Sequence, residues 1–443
     1  MTSLETFIDA ATWHGGLDRA DALLAADPAL ARASLFAAAI LGEEETVRRV
    51  LSADPSAAAA TSGPRGATAL VYLCFSNYLR LDAARTPAFV RIATALLDAG
   101  ADPNAGFRST GDCPEWESAI YGAAGVAHHA PLTRLLLERG ADPNDDETAY
   151  HAAETYDNAA MQALVESGRL NDAGLSTLLL RKTDWHDYDG IDWLLEHGAV
   201  ADASTRWGKT ALHNAILSDN RLEIVRLLLD HGASPLAIAT RPERGSARRG
   251  EQTAVQMAAR RGRGDALHEF ARRGFSIELR GLERLLAACA RNDAPAVAII
   301  AGAEPQTVEQ LRGDGGRFLA WFSGVDNVEG VRLLLDLGVP VDAPFVEGEG
   351  YFEIAPDSLA IHVAAWRASY ATVALLIDRG SPLDARDGRG RTPLRLAVRA
   401  CVDSWWKGRR SPESVKALLD AGASREGVAM PSGYAEVDAL LAG

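Results

Sequence analysis

Apolar and polar positions follow one another along the chain in short, recurring blocks. From Ala201 to Pro235 the sequence reads ADASTRWGKTALHNAILSDNRLEIVRLLLDHGASP. Arg206-Trp207-Gly208-Lys209 has the composition of a turn, with Gly208 free to take positive φ. Thr210-Ala211-Leu212-His213 predicts the start of a short helix, with Thr210 as its N-cap. After the polar break Ser218-Asp219-Asn220, residues Leu222, Ile224, Val225, Leu227, Leu228 and Leu229 give a second helix an apolar face. Gly232 then stands where a helix C′ glycine would. One such helix pair cannot enclose a core and requires neighbours on both sides.

The same block recurs. Leu-Leu-Asp-Ala-Gly-Ala-Asp-Pro-Asn ends at Asn104 and Leu-Leu-Glu-Arg-Gly-Ala-Asp-Pro-Asn at Asn144. Weaker endings fall at Gly168, Gly198, Gly232, Gly274, Gly302, Gly338, Gly380 and Gly422, a mean spacing of about 36 residues from Gly100 onward. Two further units, closing at Pro28 and Pro55 without the glycine, lead the chain. About twelve units are expected in all.

These features resemble the ankyrin repeat, whose pattern is turn, T-P-L-H, helix, G-H, helix, L-L-x-x-G-A-D-P-N. Gly208, Thr210, Leu212, His213, Glu223-Ile224-Val225, the leucine run and Gly232-Ala233 match it at the family spacing of about 33 residues. The resemblance implies an all-α solenoid of about twelve stacked helix-turn-helix units with β-turn fingers, spanning residues 1–443 as one domain. Within it, residues 1–60 are acidic capping units and 61–235 hold units three to seven. Residues 236–315 hold a basic finger and degenerate units, and 316–443 hold aromatic-rich units and a cap. Arg- and Gly-rich 236–251 and Pro344 to Asp357 are expected as long fingers, and Gly433 to Leu441 as a closing helix.

Composition narrows the function classes. The formal charge is −15, which argues against general affinity for nucleic acid or acidic membranes. It is unevenly spread: residues 1–60 are acidic, whereas 241–284 carry an excess of arginine. No apolar run is long enough to cross a bilayer, and the start MTSLETFIDAATWHGG has neither basic n-region nor apolar h-region. Cys74, Cys113, Cys289 and Cys401 show no paired or metal-type spacing and read as buried thiols of a cytoplasmic protein. Lysine is scarce beside arginine, and alanine is abundant, as in a protein from a GC-rich bacterial genome.

Catalytic chemistry is thinly represented. His128-His129 are adjacent, which does not put both rings on one helix face. The resemblance makes His213 and His362 structural hydrogen-bonding groups. His186, with Asp184, Asp187 and Asp189, reads as a solvated loop. Gly313-Asp-Gly-Gly316 and Gly262-Arg-Gly264 read as turn glycines, and neither fits a phosphate-binding loop. Neither a cofactor nor a metal is expected, and no catalytic residue is assigned.

The resemblance does imply a concave face built from finger residues and from the variable positions after the first helix of each pair. Those positions are Arg206, Trp207 and Lys209, then Arg260 and Arg261, then Trp366 and Arg367, and finally Arg389, Arg391 and Arg399. Arginine and tryptophan dominate interface hot spots. The leading expectation is therefore a non-enzymatic scaffold that binds a protein or peptide with an acidic segment. Two alternatives stand beside it. One is an immunity or inhibitor protein that meets a basic partner through its acidic N-terminal units. The other is an enzyme or small-molecule binder with a pocket of Trp321, Phe322, Tyr351, Phe352, Trp366, Trp405 and Trp406.

Overall fold

In the unit that carries the full pattern, Thr210 caps the helix Ala211–Leu217 by accepting from the His213 amide, and His213 returns the bond to the Thr210 backbone. Leu212, Ile216, Ile224, Val225 and Leu228 are fully buried between this helix and Leu222–Asp230. This is the arrangement their spacing requires. His213 Nδ1 accepts from the Thr210 amide at 3.2 Å and Nε2 lies 3.0 Å from the Ala237 carbonyl. His362 repeats the arrangement, bridging the Leu359 amide at 3.0 Å and the Ala385 carbonyl at 2.9 Å. Both histidines tie a helix start to the next finger, as the sequence implied.

The computed structural model describes residues 2–110, 114–239 and 252–443. Most of the long finger expected over 236–251 lies outside the described residues, as does Cys113. The fold is all-α, with antiparallel two-stranded hairpins at the fingers. The chain divides into two compact units, Met1–Arg206 and Trp207–Gly443.

The first unit opens with Ser3–Ala11, capped by a reciprocal Thr2–Glu5 box. A turn through Pro64 and Gly66 closes the hairpin of Thr61–Ser62 with Ala67–Thr68, and Thr68 caps the buried helix Ala69–Cys74. A second hairpin pairs Gly106–Arg108 with Trp116–Ser118, and Ser118 caps the next helix. The acidic stretch around His186 is not a solvated loop. Asp187 caps Tyr188–Glu196 and pairs at 2.8 Å with Lys182, whose side chain is wholly buried, while Asp184 pairs with Arg181.

In the second unit, helix pairs run from Ala211–Leu217 to the closing helix Ala435–Ala442, which matches the expected cap. Gly232, Gly274, Gly338, Gly380 and Gly422 all take positive φ after their helices, as repeat endings should. Gly302 does not: it lies inside the helix Ala294–Ala303. Gly313, Gly315 and Gly316 are also not turn glycines, because they sit within the continuous helix Pro305–Gly324. Glycine serves there for another reason. A Cβ on Gly316 would strike the Pro344 carbonyl, and one on Gly315 would lie 2.6 Å from Val339. The base of the following finger thus lies directly on the helix backbone. Gly264 is a similar case, since a Cβ there would collide with the Ala290 carbonyl of the next pair. Gly262 does turn the chain, at φ +74°.

Candidate functional site

The finger from Pro344 to Ser358 is a small looped hairpin. Phe345 donates to the Ser358 carbonyl at 2.8 Å, and Glu349 and Ile354 exchange two backbone bonds of 2.9 Å. Gly348, at φ +64°, lets the strand pass the Ile354 carbonyl. The hairpin tip, Glu349-Gly350-Tyr351-Phe352-Glu353, lies against the residues that follow the first helices of successive pairs.

Each tip residue meets its own partner. The Glu349 carboxylate pairs with Arg261 and accepts from Trp321 Nε1 at 3.1 Å. Phe352 is buried, with the Arg367 guanidinium 3.7 Å from its ring centroid and Trp405 stacked nearly parallel at 6.4 Å. Its carbonyl accepts from Trp366 Nε1 at 2.6 Å. The Glu353 carboxylate accepts from Arg399 at 2.6 Å, and its carbonyl from Arg391 at 3.3 Å. Arg367 also pairs with Asp219 at 3.1 Å, with both side chains about 95% buried. Burial pulls the Arg367 pKa down to about 10, and the Asp219 charge opposes that shift.

The expected site residues therefore divide by burial. Arg261, Trp366 and Arg367 are buried beneath the finger and are not an open surface. They read as exposed because the sequence gives no sign that a finger would fold over them. Arg260 is half-buried and pairs with Glu283. Arg391 pairs with the buried Asp387 at 2.8 Å. Trp207 is half-buried, and Lys209 donates to Asn214 at 3.0 Å. Arg206, in the first unit, pairs with Asp146 at 2.7 Å. Arg389 is exposed. Sequence reasoning missed Arg395, which stands one turn before Arg399 on Pro393–Val402 and four residues after Arg391, which precedes that helix. Among the described residues, neither Arg389 nor Arg395 has a carboxylate within ion-pair range. Arg391, Arg395 and Arg399 line an open groove of about 230 Å³ with Val402, Val428 and Ser432.

Of the aromatic residues considered for a small-molecule pocket, Tyr351, Phe352, Trp366, Trp405 and Trp406 converge but pack on one another, whereas Trp321 packs against Phe318 and Phe345. Tyr351 meets Phe352 and Trp405 edge-on, and Trp406 meets both Trp366 and Trp405. Tyr351 and Trp405 keep 38% and 43% of their surface exposed beside the Glu353–Arg399 pair.

A second concentration of charge, in the first unit, also escaped the sequence reading. Trp13 stacks on Phe75 at 5.2 Å and meets Phe107 and Tyr121, with Arg65 over the Trp13 and Phe107 rings. Beside them His151 lies 2.9 Å from Glu154 and 3.1 Å from Glu147. Burial alone would lower its pKa, but the bonds to Glu147 and Glu154 outweigh it and raise the value to about 9. Burial also raises Glu117, to about 7, with Glu147 adding to the effect. Burial is the main cause that lowers the pKa values of His128 and His129. His129 caps Ala130–Glu138.

The raised His151 value fixes the sign of a pH effect. Its stabilisation is complete below the ordinary value of 6.5 and is lost as pH rises through about 9. The chain should therefore unfold at lower urea at pH 9 than at pH 6.5, and His151→Gln should flatten that difference. Parallel pH profiles for the two proteins would contradict the charged pairing of His151.

Among the described residues no group of three or more His, Cys, Asp or Glu could hold a metal, and no helix is long and apolar enough to cross a membrane. Residues 176–239 match the family model "Ankyrin repeats (3 copies)". An ankyrin repeat protein of Rickettsia bellii (strain RML369-C) is 31% identical over 105 residues, which cover 23% of this chain and 42% of that protein. Among solved structures, the ankyrin repeat domain of Bcl-3, a member of the IkappaB protein family, is 20% identical. That match covers 54% of this chain and 97% of the other, with a TM-score of 0.23. Residues 176–239 are thus similar to ankyrin repeats, in keeping with the resemblance read from the sequence.

Proposed function

We propose that the second unit binds an acidic protein segment along the arginine face that runs from the finger tip to the groove of Pro393–Val402. The observation that carries this reading is the groove itself. Three arginines line it, two of them one helical turn apart, Arg395 has no carboxylate partner among the described residues, and Arg389 stands exposed nearby. Guanidinium forks suit carboxylates in such a setting. The exposed Tyr351 and Trp405 add apolar area at its edge. No catalytic step belongs to this reading. The buried free thiols of Cys74, Cys289 and Cys401 suit a reducing compartment such as the cytoplasm.

Poly-L-glutamate is a direct probe. It should bind the full chain, and the affinity should fall as salt rises, because screening weakens exposed pairs. Arg389→Glu with Arg395→Glu should weaken binding about tenfold or more, roughly 1.4 kcal/mol. Glu43→Ala with Glu44→Ala should leave it unchanged. Arg389 and Arg395 are the charges to reverse, because reversing the buried Arg261 would instead disrupt the finger. Binding that ignores the arginine variants would remove this reading. A basic probe lost with the Glu43 and Glu44 variants would favour the N-terminal acidic surface.

A further inference from the structure

We infer that the arginine–tryptophan face of the second unit recognises a short acidic–aromatic–acidic segment, and that the finger tip Glu349-Gly350-Tyr351-Phe352-Glu353 is its resident occupant, displaced by a partner of the same chemistry. This rests on the reading of that face as a partner-binding surface and names what the partner carries.

The contacts define the motif. A carboxylate at each end of the tip meets an arginine, Glu349 with Arg261 and Glu353 with Arg399, and the ring between them lies under Arg367. The three arginines come from three separate helix pairs, at the end of Ala254–Arg260, at the end of Ala360–Trp366 and within Pro393–Val402. The finger therefore bridges the surface as a bound peptide would. Two bonds link backbone to side chain without regard to sequence, from Trp366 to the Phe352 carbonyl and from Arg391 to the Glu353 carbonyl. A peptide in trans could supply both carbonyls equally well.

The occupant fits imperfectly. Glu353 sits at φ +55°, a left-handed conformation that glutamate disfavours and glycine would accept. What glutamate adds there is the carboxylate on Arg399. Arg261 Nε and Arg367 Nε are buried and find no acceptor among the described residues. A segment free of the hairpin could meet these donors without the left-handed turn. While seated, the finger competes as a tethered ligand at high effective concentration, so a partner's apparent affinity is reduced.

The test uses the full chain and a fluorescein-labelled peptide with the sequence of residues 345–356, followed by fluorescence anisotropy. Two variants loosen the finger. Glu349→Gln with Glu353→Gln removes both carboxylates, and Glu349→Gln alone removes one at an ordinary backbone position, so the latter has no reason to misfold. Both should bind the peptide at least tenfold more tightly than the native chain. A peptide with both glutamates changed to glutamine should lose that gain. Equal binding to the native chain and both variants, or binding to none, overturns the inference. If poly-L-glutamate still binds through Arg389 and Arg395, only the finger's role falls. If it does not, the partner-binding reading falls as well.

Discussion

Asp219→Asn is expected to destabilise the second unit by about 3–5 kcal/mol, the cost of leaving a buried charge unpaired. Asp219 and Arg367 lie 3.1 Å apart with 6% and 5% of their side chains exposed. Asparagine keeps the shape and tolerates the left-handed backbone of Asp219, at φ +52°, so the charge alone is lost. The guanidinium would then rely on the Phe352 and Trp406 rings, 3.7 and 5.0 Å from its centre. Cation–π contacts of this kind are worth about 0.5–2 kcal/mol and do not replace a carboxylate. Urea unfolding measures the loss. Asp336→Asn is the control, because its pair with Arg379 is exposed and should cost under about 1 kcal/mol. Equal losses for the two variants would mean that the buried pair contributes no more than a surface one.

Trp366→Ala should cost about 3–5 kcal/mol, the usual range for deleting a buried aromatic. Trp366 is 2% exposed, packs edge-on against Trp406 at 4.9 Å, and has the Arg399 guanidinium 4.5 Å from its ring. Its indole N–H also holds the Phe352 carbonyl, so the variant should loosen the finger as well as open a cavity. Trp366→Phe separates the two effects. It refills most of the volume but leaves that carbonyl without its donor, at about 1–3 kcal/mol. Hydrogen exchange of the finger amides should rise in both variants. If the amides stay protected in Trp366→Phe, the indole bond is not what seats the finger.

The repeat was legible because its signals are local. Gly208, Thr210, Leu212 and Leu228 each announce a turn, a cap or a core position within one helix pair, and each does what its spacing requires. His213 and His362 could be read for the same reason. The cover over the arginine face could not be, because Glu349 and Arg261 stand 88 residues apart and no periodicity links them. An arginine after a helix reads as surface until something is known to lie on it. The glycines of 313–316 misled in the opposite way. Glycine marks a turn in most sequences, but here Gly316 clears a path for a neighbouring backbone, and Gly315 for the Val339 side chain, inside a helix. The cluster of Trp13, Tyr121 and His151 joins residues from separate helix pairs, so no single stretch displayed it.

The two close approaches, Gly264 under the Ala290 carbonyl and Gly316 under the Pro344 carbonyl, bear on how far this chain is modular. Repeat arrays are usually treated as strings of exchangeable parts, since each unit meets its neighbours through side chains that can be matched. At these two seams main chain rests on main chain, so no choice of side chain can refit them. A copy of either segment moved elsewhere in the array, or replaced by a consensus unit with alanine at the seam, would not dock. In this region the chain is tailored to one order of units, and engineering by duplication or swapping is confined to seams outside it.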